Sequence, residues 1–163
     1  MKEVYLEIGR EAVMQEVHKI TAYEGSRIPP LVAKDGSKVD ADRYKDVHTV
    51  KANEELLDKY WEAACGLAGT LTLIVPYARV QHTEGQLMMS LTLPHNWEEG
   101  LLESVKSACK QGMEQKIVGE WLSVVGMADK AASYLASSKE SIDKSASLLQ
   151  QRKRPPRRHC RHE

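Results

Sequence analysis

Phenylalanine is absent from this chain, and aromatic residues make up only 6% of it. A core of ordinary density must come from leucine, valine, isoleucine and methionine, with three tryptophans and six tyrosines as its largest pieces. No run of eighteen apolar residues occurs, so nothing reads as a membrane-spanning helix. The opening Met1-Lys2-Glu3-Val4 is acidic within three residues and lacks an apolar signal core, so export is not expected. Cysteine is scarce. Cys65, Cys109 and Cys160 are odd in number and far apart, which excludes a disulfide framework and points to two buried thiols and one in the tail.

The signatures of catalysis are missing too. The ten glycines are scattered and form neither a P-loop nor a dinucleotide fingerprint. No serine sits in a nucleophile elbow, and no His-x-x-x-His pair offers a zinc site. His159-Cys160-x-His162 is metal-like, but no second ligand pair completes four-coordination. His18, His48, His82 and His95 are well separated along the chain, and Cys65 and Cys109 fall on apolar helical stripes as core fillers. Glu98 and Glu99 are neighbours that point apart on a helix. The expectation is a protein with no catalytic residue, metal or cofactor.

Net charge is also absent, but only in the sum. From Arg152 to Glu163 there are six basic residues and one acidic, a balance of +5. The remaining 17 basic and 22 acidic residues leave the body at −5. An acidic body with a basic end is the clearest electrostatic feature of the chain.

With 163 residues, one domain is expected, spanning 1–151, followed by a basic C-terminal tail over 152–163. Val4, Leu6 and Ile8 alternate and predict a short strand. After Gly9, Val13, Val17 and Ile20, with Met14 beside them, predict a helix ending near Gly25. Residues 26–46 read as a long loop, with Pro29-Pro30 forbidding a helix and Asp35-Gly36 marking a turn; its length suggests a contact surface.

A stripe through Leu57, Tyr60, Trp61, Ala64, Leu67, Leu71 and Ile74 favours one long helix stopped by Pro76. The alternative is a helix ending at Gly69 and a strand over Thr70 to Val75. Residues 77–83 and 86–93 around Glu84-Gly85 predict a hairpin, with Leu87, Met89, Leu91 and Leu93 alternating. Asn96 is expected to cap the next helix, with Glu98 and Glu99 in its first turn.

That helix carries Leu101, Leu102, Val105, Ala108, Cys109, Met113, Ile117, Trp121 and Leu122. Gly112 and Gly119 permit close approach of a neighbour, and Gly126 ends it. Asp129 is expected to cap a last helix in which Leu135, Ile142 and Leu149 recur at sevens, with Tyr134 and Leu148 adjoining. So narrow a stripe suits a partner helix, in this chain or in another copy. The fold class is thus mostly α (α+β): a bundle of about four helices with a small β-hairpin and a mobile basic tail.

The run Arg152, Lys153, Arg154, Arg157 and Arg158, with Arg161 beyond it, is the candidate binding element, directed at an anionic protein surface or a nucleic-acid backbone. No aromatic interleaves the arginines, so DNA contact would be to phosphates and insensitive to sequence.

Leu91-Thr92-Leu93-Pro94-His95-Asn96-Trp97, a long helix reaching Glu120-Trp121-Leu122, a second from Ala131 to Leu149, and Lys153-Arg154-Pro155-Pro156-Arg157-Arg158 follow in order. Together with Ala22-Tyr23-Glu24-Gly25, they resemble a family of small structural proteins encoded by tailed bacteriophages and prophages of gut Bacteroidales. The resemblance covers about half the chain. It implies a head–tail connector or neck protein that oligomerises and extends a terminal segment to a neighbouring subunit, the portal or DNA. It also implies the host cytoplasm during assembly and the virion afterwards. The ending His159-Cys160-Arg161-His162-Glu163 departs from the aromatic ending of that family.

Overall fold

The computed structural model describes residues 1–28, 33–36, 47–49 and 52–153. Among these residues it is mostly α, with four helices and one small antiparallel sheet. In chain order these are β1 (Lys2–Gly9), α1 (Arg10–Ser26), α2 (Glu54–Gly69), β2 (Arg79–His82), β3 (Gln86–Leu93), α3 (Leu102–Val124) and α4 (Ala128–Gln150). Among the described residues, no helix is long and apolar enough to cross a membrane.

The sheet follows the period-two pattern of its strands. β2 and β3 form the expected hairpin, and β1 pairs antiparallel with the other side of β3, giving the order β1-β3-β2. Val4, Leu6 and Ile8 of β1 and Leu87, Met89, Leu91 and Leu93 of β3 point to one face and are buried under the helices. The opposite face presents Glu3, Tyr5 and Glu7 of β1. A register slip of one residue would turn every one of these side chains over, so burial of one face fixes the pairing.

α3 and α4 form an antiparallel hairpin. Gly126 takes the left-handed conformation (φ +84°), the Met127 amide donates to the Leu122 carbonyl (2.9 Å) and the Gly126 amide to Ser123 (3.4 Å). This is the pairing by which a glycine just past a helix end satisfies its last carbonyls. Two of the sevens-spaced residues of α4, Leu135 and Ile142, meet α3 inside the same chain. A β-carbon added at Gly112 would stand 2.8 Å from Ile142 Cδ1, and one at Gly119 would stand 2.7 Å from Leu135 Cγ. Leu149 is buried in the same core. Of the two partners the sequence left open for Leu135, Ile142 and Leu149, the structure supplies the intramolecular one.

Three expectations are corrected. The long helix through Ile74 ends at Gly69 and continues only as a 3₁₀ turn, Thr70–Leu73, and the alternative strand is not formed either. Thr70 Oγ1 donates to the Leu67 carbonyl (2.6 Å) and Thr72 Oγ1 to Gly69 (2.7 Å), local bonds that compete with a continued helix. Asn96 caps nothing, because α3 is preceded by a 3₁₀ turn at Glu99–Leu101 whose entry has no side-chain cap. Asp129 lies inside the first turn of α4 rather than before it.

Each tryptophan joins distant parts of the chain. Trp61 Nε1 donates to the Thr83 carbonyl (2.9 Å), Trp97 Nε1 to Leu148 (3.1 Å) and Trp121 Nε1 to Val47 (2.6 Å). All three rings are buried, so each supplies core volume and satisfies a carbonyl of an irregular segment or a helix end.

Candidate docking site at the root of the basic segment

The basic run begins on the body itself. Arg152 forms an antiparallel bridge with Trp97, and the Lys153 amide donates to the Asn96 carbonyl at 2.7 Å. The Arg152 guanidinium bonds back through Nη1 to the carbonyls of Leu149 (3.0 Å) and Gln151 (2.9 Å). Cations at a helix C-terminus meet the negative end of the dipole, which favours this arrangement at the end of α4. Arg152 and Lys153 are therefore fixed at the root, whereas Arg154, Arg157, Arg158 and Arg161 lie outside the described residues. So do His159, Cys160 and His162, and most of the 26–46 loop.

Beside the root lies a cleft of about 170 Å³ lined by Ile74, Val75, Pro76, Leu93, Leu149 and Arg152, among others. A larger cleft, about 290 Å³, opens at the other end of the sheet between Arg10, Asp58, Trp61, Glu62 and the hairpin residues His82 to Glu84. There Arg10 meets Asp58 at 2.7 Å and Glu54 at 3.5 Å and donates to the Glu84 carbonyl at 3.2 Å. The Arg10 amide donates to the Gly85 carbonyl (2.9 Å), so the hairpin turn is held against the start of α1. Arg10 is thus committed to the fold.

Two polar clusters join residues that are remote in sequence. His18 and His48 stack with ring centroids 6.0 Å apart. His18 Nδ1 shares a hydrogen bond with Thr49 Oγ1 (2.6 Å), which lies 3.0 Å from Thr21 Oγ1. Burial, and then the neighbouring His48, lower the His18 pKa below its usual 6.5. The second cluster centres on the buried Glu24, paired with Lys130 and accepting from Tyr134 Oη at 3.0 Å. Burial alone would raise the Glu24 pKa, but the bonds from Lys130 and Tyr134 outweigh it and hold it low, while burial and the Glu24 carboxylate push Tyr134 up to about 12. Single-sequence reading missed both clusters; Glu24 stood in the Ala22-to-Gly25 motif, but its partners are more than a hundred residues away.

The His18 arrangement gives a pH prediction. The folded protein holds His18 neutral more strongly than the unfolded chain does, so the unfolded state binds more protons below about pH 6.5. Stability is expected to fall as pH drops from 7 toward 5, and His18→Gln should flatten that slope. Urea midpoints taken across this range check it; identical slopes for the two proteins would refute it.

Cys65 and Cys109 are free and buried, and burial pushes both thiols up to about 12, far from a reactive thiolate. Glu114 of α3 is a buried acid whose pKa burial raises, with Lys110 at 3.4 Å. Among the described residues no three His, Cys, Asp or Glu side chains could hold a metal ion together. The charge pattern has a structural anchor: the strongly basic segment starts from a fixed point on an acidic body. No family model, curated protein or solved structure matches the chain.

Proposed function

We propose that this chain is a non-enzymatic assembly protein of a tailed-phage virion, of the head–tail connector type, that oligomerises and docks its basic segment on a neighbouring subunit or the portal. The observation that carries the reading is the separation of charge. A chain with formal net charge +0 that divides into a −5 body and a +5 segment is complementary to a second copy of itself. The fixed root supports this, because the pairing of Arg152 and Lys153 with Trp97 and Asn96 sets the point from which the segment starts. The phage setting comes from the sequence resemblance, and with it the passage from host cytoplasm to virion. DNA is the less favoured target, since the acidic body would repel a duplex everywhere but at the segment.

The test is sedimentation of the wild-type chain and of the charge-reversed variant Arg154→Glu/Arg157→Glu/Arg158→Glu, at low and high salt. Wild type is expected to associate, more weakly as salt rises, and the variant at least about tenfold more weakly, roughly 1.4 kcal/mol. A wild-type chain that stays monomeric up to about 1 mM would overturn the reading. So would duplex binding whose logarithmic salt slope approaches about −4.5, the value for five neutralised phosphates, with no self-association.

A further inference from the structure

Leu73 and Tyr77 stand almost fully in solvent, 84% and 80% exposed, with the part-exposed Ile74 between them in sequence. Single exposed apolar residues need no explanation, but three within five residues do, and the middle one, Ile74, lines the cleft beside the root. Tyr77 adds a second observation. Its φ of +59° makes it the non-glycine residue held in the left-handed region among those described. Its ring packs into no core, so the monomer gains nothing evident from a tyrosine at a position glycine or asparagine would occupy without strain.

We propose that this lip, Leu73, Ile74 and Tyr77, is the face on which a second copy of the chain seats. The inference rests on the assembly reading above and names the surface that reading lacks. The occupant follows from where the basic segment starts. Ile74 and Arg152 line the same cleft, so the segment sets out from the edge of the lip. The ten residues from Arg154 to Glu163 reach at most about 35 Å when extended, roughly the width of a small domain. A neighbour seated on the lip would lie within that reach, and that neighbour's body carries −5. An apolar centre flanked by complementary charge is the ordinary anatomy of a specific interface.

The test uses the full chain with Leu73→Asp and Tyr77→Gly together, followed by sedimentation in about 150 mM and 1 M salt and by thermal denaturation. Both side chains are exposed, and glycine relieves the backbone at 77, so the unfolding midpoint of the variant monomer is expected at or above that of the wild-type monomer. Association is expected to weaken at least tenfold at both salt concentrations, because an apolar contact, unlike the basic segment's, is not screened. Association within twofold of wild type would overturn the lip and leave the charge-based reading standing. Loss of association with a lowered midpoint would mean that the two side chains hold the monomer together, and would also overturn it. A wild-type chain monomeric in both salts would overturn lip and assembly reading alike.

Discussion

Valine at both Gly112 and Gly119 is expected to cost about 4 kcal/mol or more of folding stability, a large part of what a domain of this size has. The cause is the distance between α3 and α4. At Gly112 a new β-carbon would meet Ile142 Cδ1 at 2.8 Å and Cγ1 at 2.9 Å, with the Ser138 carbonyl 3.1 Å away. At Gly119 it would meet Leu135 Cγ and Cδ2 at 2.7 and 2.8 Å, with the Ala131 carbonyl at 3.2 Å. Side-chain ends can rotate, but the carbonyls belong to the backbone of α4, so relief requires moving the helix.

The two sites are two helical turns apart and have different partners, so their costs should nearly add. Gly66 is the control. Its β-carbon would meet nothing within 4 Å, and Gly66→Ala should stabilise α2 by up to about 1 kcal/mol through helix propensity alone. Urea denaturation of the three proteins checks the set. A double valine variant as stable as wild type would show that the helices are not in close contact at these glycines.

Trp97→Ala is the second substitution with a large expected effect, about 3–5 kcal/mol. The ring is 2% exposed, its Nε1 holds the last-turn carbonyl of Leu148, and its backbone bridges to Arg152. Removing it empties a large volume between the end of β3 and the end of α4 and leaves the Leu148 carbonyl without its indole donor. The consequence should be local as well as global. Trypsin is expected to cut after Arg152 and Lys153 much faster in the variant than in wild type under native conditions, since the pairing that protects those peptide bonds depends on this corner. Equal cutting rates would show that the root of the basic segment is held by something other than Trp97.

What the sequence disclosed and what it hid divide by distance along the chain. β1 and β3 were legible because alternation is local: Val4, Leu6 and Ile8, then Leu87 to Leu93, each declare a buried face. The α3–α4 seam was legible as two halves, the glycines at 112 and 119 and the sevens-spaced residues of α4, although nothing local says that each half fits the other. The end of α2 misled because the 3₁₀ turn keeps Leu71 in phase with the helical stripe and buries it, while Ile74 is 40% exposed. Asn96 misled because its carbonyl, not its side chain, is engaged, by a residue 57 positions later. The His18–His48 stack and the Glu24–Lys130–Tyr134 cluster depend on tertiary contact and have no local signature at all. The charge division between body and basic segment needs no structure, which is why the proposed function rests on it.

The three indole hydrogen bonds give this molecule optical reporters of its own. Each ring is buried and clasps a different piece of the chain: the hairpin turn, the end of the last helix, and the short stretch around Val47. Indole absorbs at longer wavelengths than the phenol of the six tyrosines, so emission excited at the red edge comes almost wholly from these three sites, and opening any one of them moves its share of the spectrum to the red. Replacing two tryptophans at a time with phenylalanine would leave a single lamp on each joint, so the order in which the joints open could be watched directly.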